Sequence, residues 1–337
     1  MEQEQNTRVK SDVPAEAAAS EKAAVSVKNA EPANDAGNGK NPEAAAPRKK
    51  RFGDRRDGRK VRSLDPMMYV GAVVMPKRND ALNFFEYNVD MAPIEKYINR
   101  KRHEEGMRGF GFMHVVTAGF VRMISQRPAM NRYIAGNKIF QRDEIVFSMM
   151  VKKSMTADGQ ETGIKLRFKP DETIYDVYKE MNEAIEAAKA EGDSTALDKV
   201  ARAIVKMPAL ILRMFVGLMN CLDYFGIMPK VIEEASPFHA SFFFSNLGSL
   251  GIPPVYHHIY NFGNVSTFLV FGSKEIGYEL DDDGNVVKKR FVRCRVVTDE
   301  RITDGFYMAS SFKVLMRILK HPEVLDNPPD QVFEDVE

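Results

Sequence analysis

Cysteine is scarce: Cys221 and Cys294 are the two in 337 residues. Two thiols cannot build a disulfide framework, so a packed core must hold the chain, and a reducing compartment suits it. Charge of one sign is missing as well. Lys and Arg number 48 against 47 Asp and Glu, which removes any global pull towards nucleic acid or an acidic substrate. The start, MEQEQNTRVK, has no apolar h-region, so no secretory signal is expected. No unbroken apolar run reaches the ~20 residues that span a bilayer. The nearest stretch, MPALILRMFVGLMNCLDYFGIM (207–228), is interrupted by Pro208, Arg213, Asn220 and Asp223. Neither a phosphate loop nor a nucleotide fingerprint is present. The histidines do not fall at metal-ligand spacing with cysteines. The expectation is a soluble cytoplasmic chain that binds no metal and no nucleic acid.

What is there divides into three parts. Residues 1–63 form a tail. Its first part, to about 47, is rich in Ala, Glu, Lys, Asn and Ser and offers no apolar face, so it is expected to be disordered. A basic block, RKKRFGDRRDGRKVR (48–62), follows. It reads as a patch for an acidic partner or membrane surface, or as an arm along the body with Asp54 and Asp57 neutralising it. The arm is preferred, with Phe52, Leu64 and Met67 as its pins.

The folded body is expected over 64–325, with an acidic tail at 326–337. YVGAVVM (69–75) predicts a strand and IEKYINRKRHE (94–104) an exposed helix. GFMHVVTAGFVRMIS (111–125) places Phe112, Val115, Val116, Gly119, Phe120 and Met123 on one face of a buried helix that stops at Arg127-Pro128. Period-two alternation predicts strands in 137–141, 143–153 and 162–170. ETIYDVYKEMNEAIEAAKAE (172–191) predicts an amphipathic helix, and a second helical section covers about 195–234. A strand in 239–252 ends in a glycine-bearing loop. VSTFLVFGSKEIGYEL (265–280) and VVKKRFVRCRVVTD (286–299) make a long hairpin, with Asp283-Gly284 as its turn signal. FYMASSFKVLMRILK (306–320) is the last helix. Helices mixed with largely antiparallel strands and no internal repeat argue one α+β domain.

Two segments carry a resemblance. The first is FFFSNLGSLGI (242–252), followed downstream by FLVFG (268–272); the second is TDERITDGFYMASSFKVLMRILKHPEVL (298–325). Together they resemble the catalytic domain shared by chloramphenicol acetyltransferase and the acyltransferase component of 2-oxo acid dehydrogenase complexes. In that family the second segment reads D-H-R-x-x-D-G. Asp299, Arg301, Asp304 and Gly305 match it, and Glu300 replaces the histidine. RFGDRRDGRK, HVVTAGFVR, QRPAMNR and IPPVYHHIYNFG resemble a bacterial stand-alone subfamily that itself carries D-E-R-I. Order, spacing and flanking elements agree over most of 110–325. The resemblance implies a two-layer α+β sandwich with a mixed, mostly antiparallel sheet, assembled as a homotrimer. It implies an active site at the subunit interface, a coenzyme A thioester as co-substrate, and a small thiol or hydroxyl acceptor. No lipoyl domain is expected, because the first ~60 residues are too short and too polar for one.

Acyl transfer from a thioester needs a base for the acceptor and a donor for the oxyanion. The resemblance places Ser245 as that donor; the plain alternative is a strand serine bonded to a neighbouring carbonyl. It makes Asp304 a buried acid paired with an arginine, while its position before Gly305 also suits a helix N-cap. Glu300 stands at the base's position. A carboxylate is a weak base towards a thiol, but burial can raise its pKa by several units. The alternative is an ion-paired Glu300 and a silent site, with the protein acting as an oligomeric binding or scaffold protein. Arg301 points to the opposite strand face and need not neutralise Glu300. His258, or its neighbour His257, could supply an imidazole from another direction; packed interface histidines are the plainer view. His114 reads as a core histidine, and His103, His239 and His321 show no partner pattern. The helix within 205–228 is apolar almost all round. Burial in an oligomer is the preferred reading, ahead of a membrane interface.

Overall fold

The computed structural model describes residues 49–152, 161–190, 205–281 and 283–337. The disorder expected before residue 48 and the first part of the helical section at 195–234 lie outside the described residues. A six-stranded sheet runs in the order β2 (Leu82–Asp90), β9 (Val286–Asp299), β8 (Thr267–Leu280), β7 (Phe242–Asn246), β5 (Ile145–Lys152) and β6 (Glu161–Phe168). β7 is parallel to both β5 and β8, and the other pairings are antiparallel. A second sheet has three antiparallel strands, β1 (Gly58–Lys60), β4 (Lys138–Arg142) and β3 (Arg132–Ala135).

One face of the large sheet carries the main core. Phe147, Phe242, Phe244, Leu269, Phe271 and Val296 meet four helices there. These are α2 (Met91–His103), α3 (Phe112–Gln126), α4 (Ile174–Ala190) and α7 (Gly305–Lys320). Gly119 lets α7 approach α3: a Cβ at that position would lie 3.2 Å from Leu315. On the other face a smaller cluster of Val146, Phe243, Phe268, Val270 and Val297 packs under Ile259 and Val265 of the segment after β7. This is the expected two-layer α+β sandwich with a mixed sheet.

Several expectations change. YVGAVVM is not a strand but lies mostly in helix α1 (Pro66–Val74). Asp65 accepts from the Met67 N–H at 2.7 Å, and Pro66 occupies the first helical position. Cap and proline together override the β-propensity of valine and tyrosine. The helix over 94–104 is there, but one side is buried through Ile94, Tyr97, Ile98 and Lys101. β2 and β3 were not foreseen. β2 mixes apolar and polar residues unevenly, as LNFFEYNVD, and is defined by its pairing with β9.

The basic arm joins the body earlier than residue 64, because β1 pairs with β4. Asp54 takes Arg62 at 2.9 Å and the backbone N–H of Arg51 and Lys60. Arg55 reaches Asp57 at 3.2 Å and Asp223 at 2.6 Å. Arg56 pairs with Glu233, and Arg59 donates to the Asp335 and Val336 carbonyls. Of the three expected pins, Leu64 packs, whereas Phe52 and Met67 are exposed. The C-terminal segment is bonded to the body as well: Arg132 grips Asp335, and the Phe333 N–H donates to Ser125 O at 2.9 Å. The last helical stretch before β7 is α5 (Ala209–Tyr224) followed by α6 (Lys230–Ala235).

Candidate active site

Strand β9 ends at the motif. Asp299 is fully enclosed, and two arginines converge on it. Arg301 binds it with a two-pronged grip, Nε to Oδ1 at 2.8 Å and Nη2 to Oδ2 at 2.6 Å. Arg78 reaches Oδ2 from the other side at 3.3 Å. The remaining donors of the two arginines hold backbone carbonyls. Arg78 bonds Tyr260, Gly263 and Ile134, and Arg301 bonds Met75. One carboxylate thereby fixes the end of β9, the loop before β8, the small sheet and the end of α1. Isolated buried charges are costly, so this cluster is a structural centre only while complete.

Glu300 lies between two buried neighbours yet is itself exposed. Its backbone N–H donates to Ala81 O at 2.8 Å, which aims the side chain outward. Glu300 and Arg301 do not alternate along a strand as expected, because Glu300–Ile302 is a 3-10 turn after β9; Arg301 is instead turned back onto Asp299. The family reading of Asp304 needs correction. Asp304 is exposed and caps α7, accepting from the Tyr307 N–H at 2.9 Å. Among the described residues, the motif's buried acid paired with arginine is Asp299. Arg78 was missed altogether, since nothing in MPKRND signals a partner 221 residues away.

Ser245 is half-buried near the end of β7. Side chains alternate along a strand, so it shares the outer face with Phe243. Directly after it the chain folds back tightly. A Cβ on Gly272 would stand 2.8 Å from Pro254 N, so glycine is what lets the loop lie on β8. Gly251 takes a left-handed φ of 73° to make the turn.

The strand register sets the distance between the candidate groups. Ser245 is level with Val270 on β8, which is level with Arg295 on β9. Asp299 lies four positions further along β9, and Glu300 lies beyond it. At ~3.3 Å per residue and ~4.8 Å per strand, Ser245 and Glu300 of one chain are separated by roughly 15 Å or more. They cannot meet within one copy.

The histidines of the covering loop sit between these two ends. The His257 ring stacks flat on Phe268, with centroids 4.0 Å apart, and its Nδ1 lies 2.7 Å from His258 O. Burial pulls its imidazole below the ordinary range. His258 is exposed, and its ring contacts are with His257 and Tyr260. His114 is buried, with Nδ1 accepting the Gly111 N–H. His239 does have partners, Ser236 at 2.9 Å and Asp223 at 3.7 Å. Burial opposes ionisation of Asp223, yet His239 and Arg55 hold its carboxyl down at about 2. Among the described residues no cluster of three or more His, Cys, Asp or Glu could hold a metal. No helix among them is long and apolar enough to cross a membrane.

No known sequence family matches the chain, and no curated protein does. Solved structures do. The dihydrolipoamide acetyltransferase of Azotobacter vinelandii superposes with a TM-score of 0.50 at 14% identity, covering 75% of this chain and 89% of that one. A probable dihydrolipoamide acetyltransferase from Listeria monocytogenes gives 0.49 at 14%, covering 78% and 94%. A chloramphenicol acetyltransferase gives 0.47 at 13%, covering 78% and 100%. The likeness to the Azotobacter domain shows that the chain shares its fold.

Proposed function

We propose that the protein is a coenzyme A-dependent acyltransferase whose site is completed by a second copy. One copy supplies Ser245 to the oxyanion, and its neighbour supplies Glu300 to the acceptor's proton. The carrying observation is the register: the two groups lie on one sheet but at opposite ends of it, each at the surface of its own chain. A two-copy site explains why a half-buried hydroxyl and an exposed carboxylate are both left facing outward. The fold supports the class of chemistry. For the Azotobacter enzyme a serine, a histidine and an asparagine have been studied for roles in the catalytic mechanism, the last two four positions apart. Glu300 and Asp304 have the same spacing here.

The chemistry follows from the residues. The acceptor's S–H or O–H gives its proton to Glu300 as its sulfur or oxygen attacks the thioester carbonyl. The carbonyl oxygen becomes an oxyanion and takes the Ser245 hydroxyl as donor. Collapse expels the coenzyme A thiolate, which recovers a proton. Closure by a neighbouring copy would take Glu300 out of water, where a carboxylate is a stronger base. Asp299, gripped by Arg78 and Arg301, positions the backbone that presents Glu300.

A second reading has its own support. Among the described residues of a single chain Glu300 is exposed, and a solvated carboxylate is a poor base. The protein would then bind coenzyme A as an oligomeric scaffold without turnover. The two are separated by offering acetyl-CoA with a panel of thiol and hydroxyl acceptors and recording free coenzyme A. The enzyme reading expects turnover, falling by about 10²–10⁴-fold in Glu300→Gln. Coenzyme A binding by calorimetry without any release above background would favour the scaffold.

A further inference from the structure

Helix α5 has an apolar side that is exposed among the described residues. Only Met219 and Asp223 are buried along its length. Its attachment is at the C-terminal end, where Asp223 holds Arg55 and the Tyr224 carbonyl lies against Gly136. On the side away from the body, Ile211, Met214, Leu218, Cys221 and Phe225 follow one another at spacings of three, four, three and four. This is the a/d spacing of a coiled-coil seam. Ile211 is 53% exposed, Met214 68%, Leu218 54% and Phe225 67%, and Cys221 is exposed. Beside the seam, Gly217 has open space where a Cβ would stand, so a second backbone can come close.

The size and chemistry of the seam select its cover. With the adjoining Leu210 it exposes on the order of 600 Å² of apolar surface, the upper limit for a patch on an ordinary monomer. Two such surfaces together bury on the order of 1,200 Å², above the ~1,000 Å² that a stable contact needs. A lipid surface fits less well. Helices that lie in a membrane interface carry a strongly charged face. The charges of α5 are Arg213 and Asp223, and Asp223 is spent on Arg55. In the basic arm that would add cations, Arg55, Arg56 and Arg62 are already paired within the chain. A second copy brings a matching uncharged seam without repulsion.

We propose that α5 packs against α5 of a second copy in a two-fold contact, distinct from the contact that would complete the Ser245–Glu300 site. The contact is isologous, since the same patch is used by both partners. It therefore joins the closed rings that the site-forming contact makes into a larger assembly.

The full-length protein tests this by sedimentation and by cross-linking with a short bis-maleimide. Cys294 is buried, so Cys221 is the thiol within reach of the reagent. Wild type is expected to give a covalent dimer on a denaturing gel, absent in Cys221→Ser. Leu218→Glu is expected to lower the sedimenting mass to that of a single ring, at most half of the wild-type value, and to cut the cross-link at least tenfold. Its circular dichroism should not change, because Leu218 is exposed. No wild-type cross-link, or an unchanged mass in both Leu218→Glu and Leu218→Gln, would overturn the proposal. So would flotation with phosphatidylglycerol vesicles that Leu218→Glu abolishes while the mass stays the same.

Discussion

Ser245→Ala is expected to lower the rate of coenzyme A release by about 10²–10³-fold, the usual cost of losing one oxyanion donor. The loss should fall on kcat, with KM for acetyl-CoA little changed. The hydroxyl interacts more strongly with the oxyanion than with the ground-state carbonyl, so the defect belongs to the transition state. Folding should be nearly untouched, because the residue is half-buried at a strand end and alanine fits the same backbone. Initial rates at saturating acetyl-CoA check the expectation, with a urea melt alongside. Wild-type turnover from a folded Ser245→Ala protein would remove the serine from the mechanism.

The second large effect is on stability. Asp299→Ala leaves the guanidinium groups of Arg78 and Arg301 buried without their carboxylate. Removing one partner of a buried ionic cluster costs about 3–5 kcal/mol, a large part of the stability of a domain of this kind. The urea midpoint should fall accordingly, with loss of the native fold at growth temperature as the extreme outcome. Asp299→Asn keeps hydrogen-bond acceptance and should lose less. Glu300→Gln, one residue on, is exposed and should stay within about 0.5 kcal/mol of wild type. A small effect from Asp299→Ala would mean that water or other groups satisfy the two arginines. The adjacent pair of variants is informative because one acid of the motif holds the fold and the next is free to act.

Much of this was legible in the sequence. Helices α3, α4 and α7 announce themselves through apolar spacing and clear stops, and the β8–β9 hairpin through a long alternation and its glycine turn. The resemblance to the acyltransferase domain rests on two segments that fall on β7 and on the end of β9, and the fold agrees. Other features were not legible, for identifiable reasons. In 69–75 valine and tyrosine suggested a strand, while the deciding signals, Asp65 and Pro66, lay just outside the window. The place of β2 depends on pairing with a strand some 200 residues later, which no local pattern reveals. At the site, the resemblance assigned the buried acid to Asp304. The helix cap at Asp304 was legible from its place before Gly305, but only the folded chain shows that Asp299 takes the arginines. Arg78 belongs to the site through tertiary contact alone. The basic block reads from sequence as an arm neutralised by Asp54 and Asp57; the further acceptors on α5, α6 and the C-terminal segment come from tertiary contact alone.

The shared site is tested most directly by mixing the two defective chains. Ser245→Ala and Glu300→Gln are each expected to be inactive alone. Co-expressed, they form some sites that draw the serine from one chain and the glutamate from the other. Random mixing in a closed ring makes about one quarter of the sites whole, so activity should return to that fraction of wild type. Mixed assemblies that remain as inactive as either parent, although intact by sedimentation, would contradict a site built from two copies.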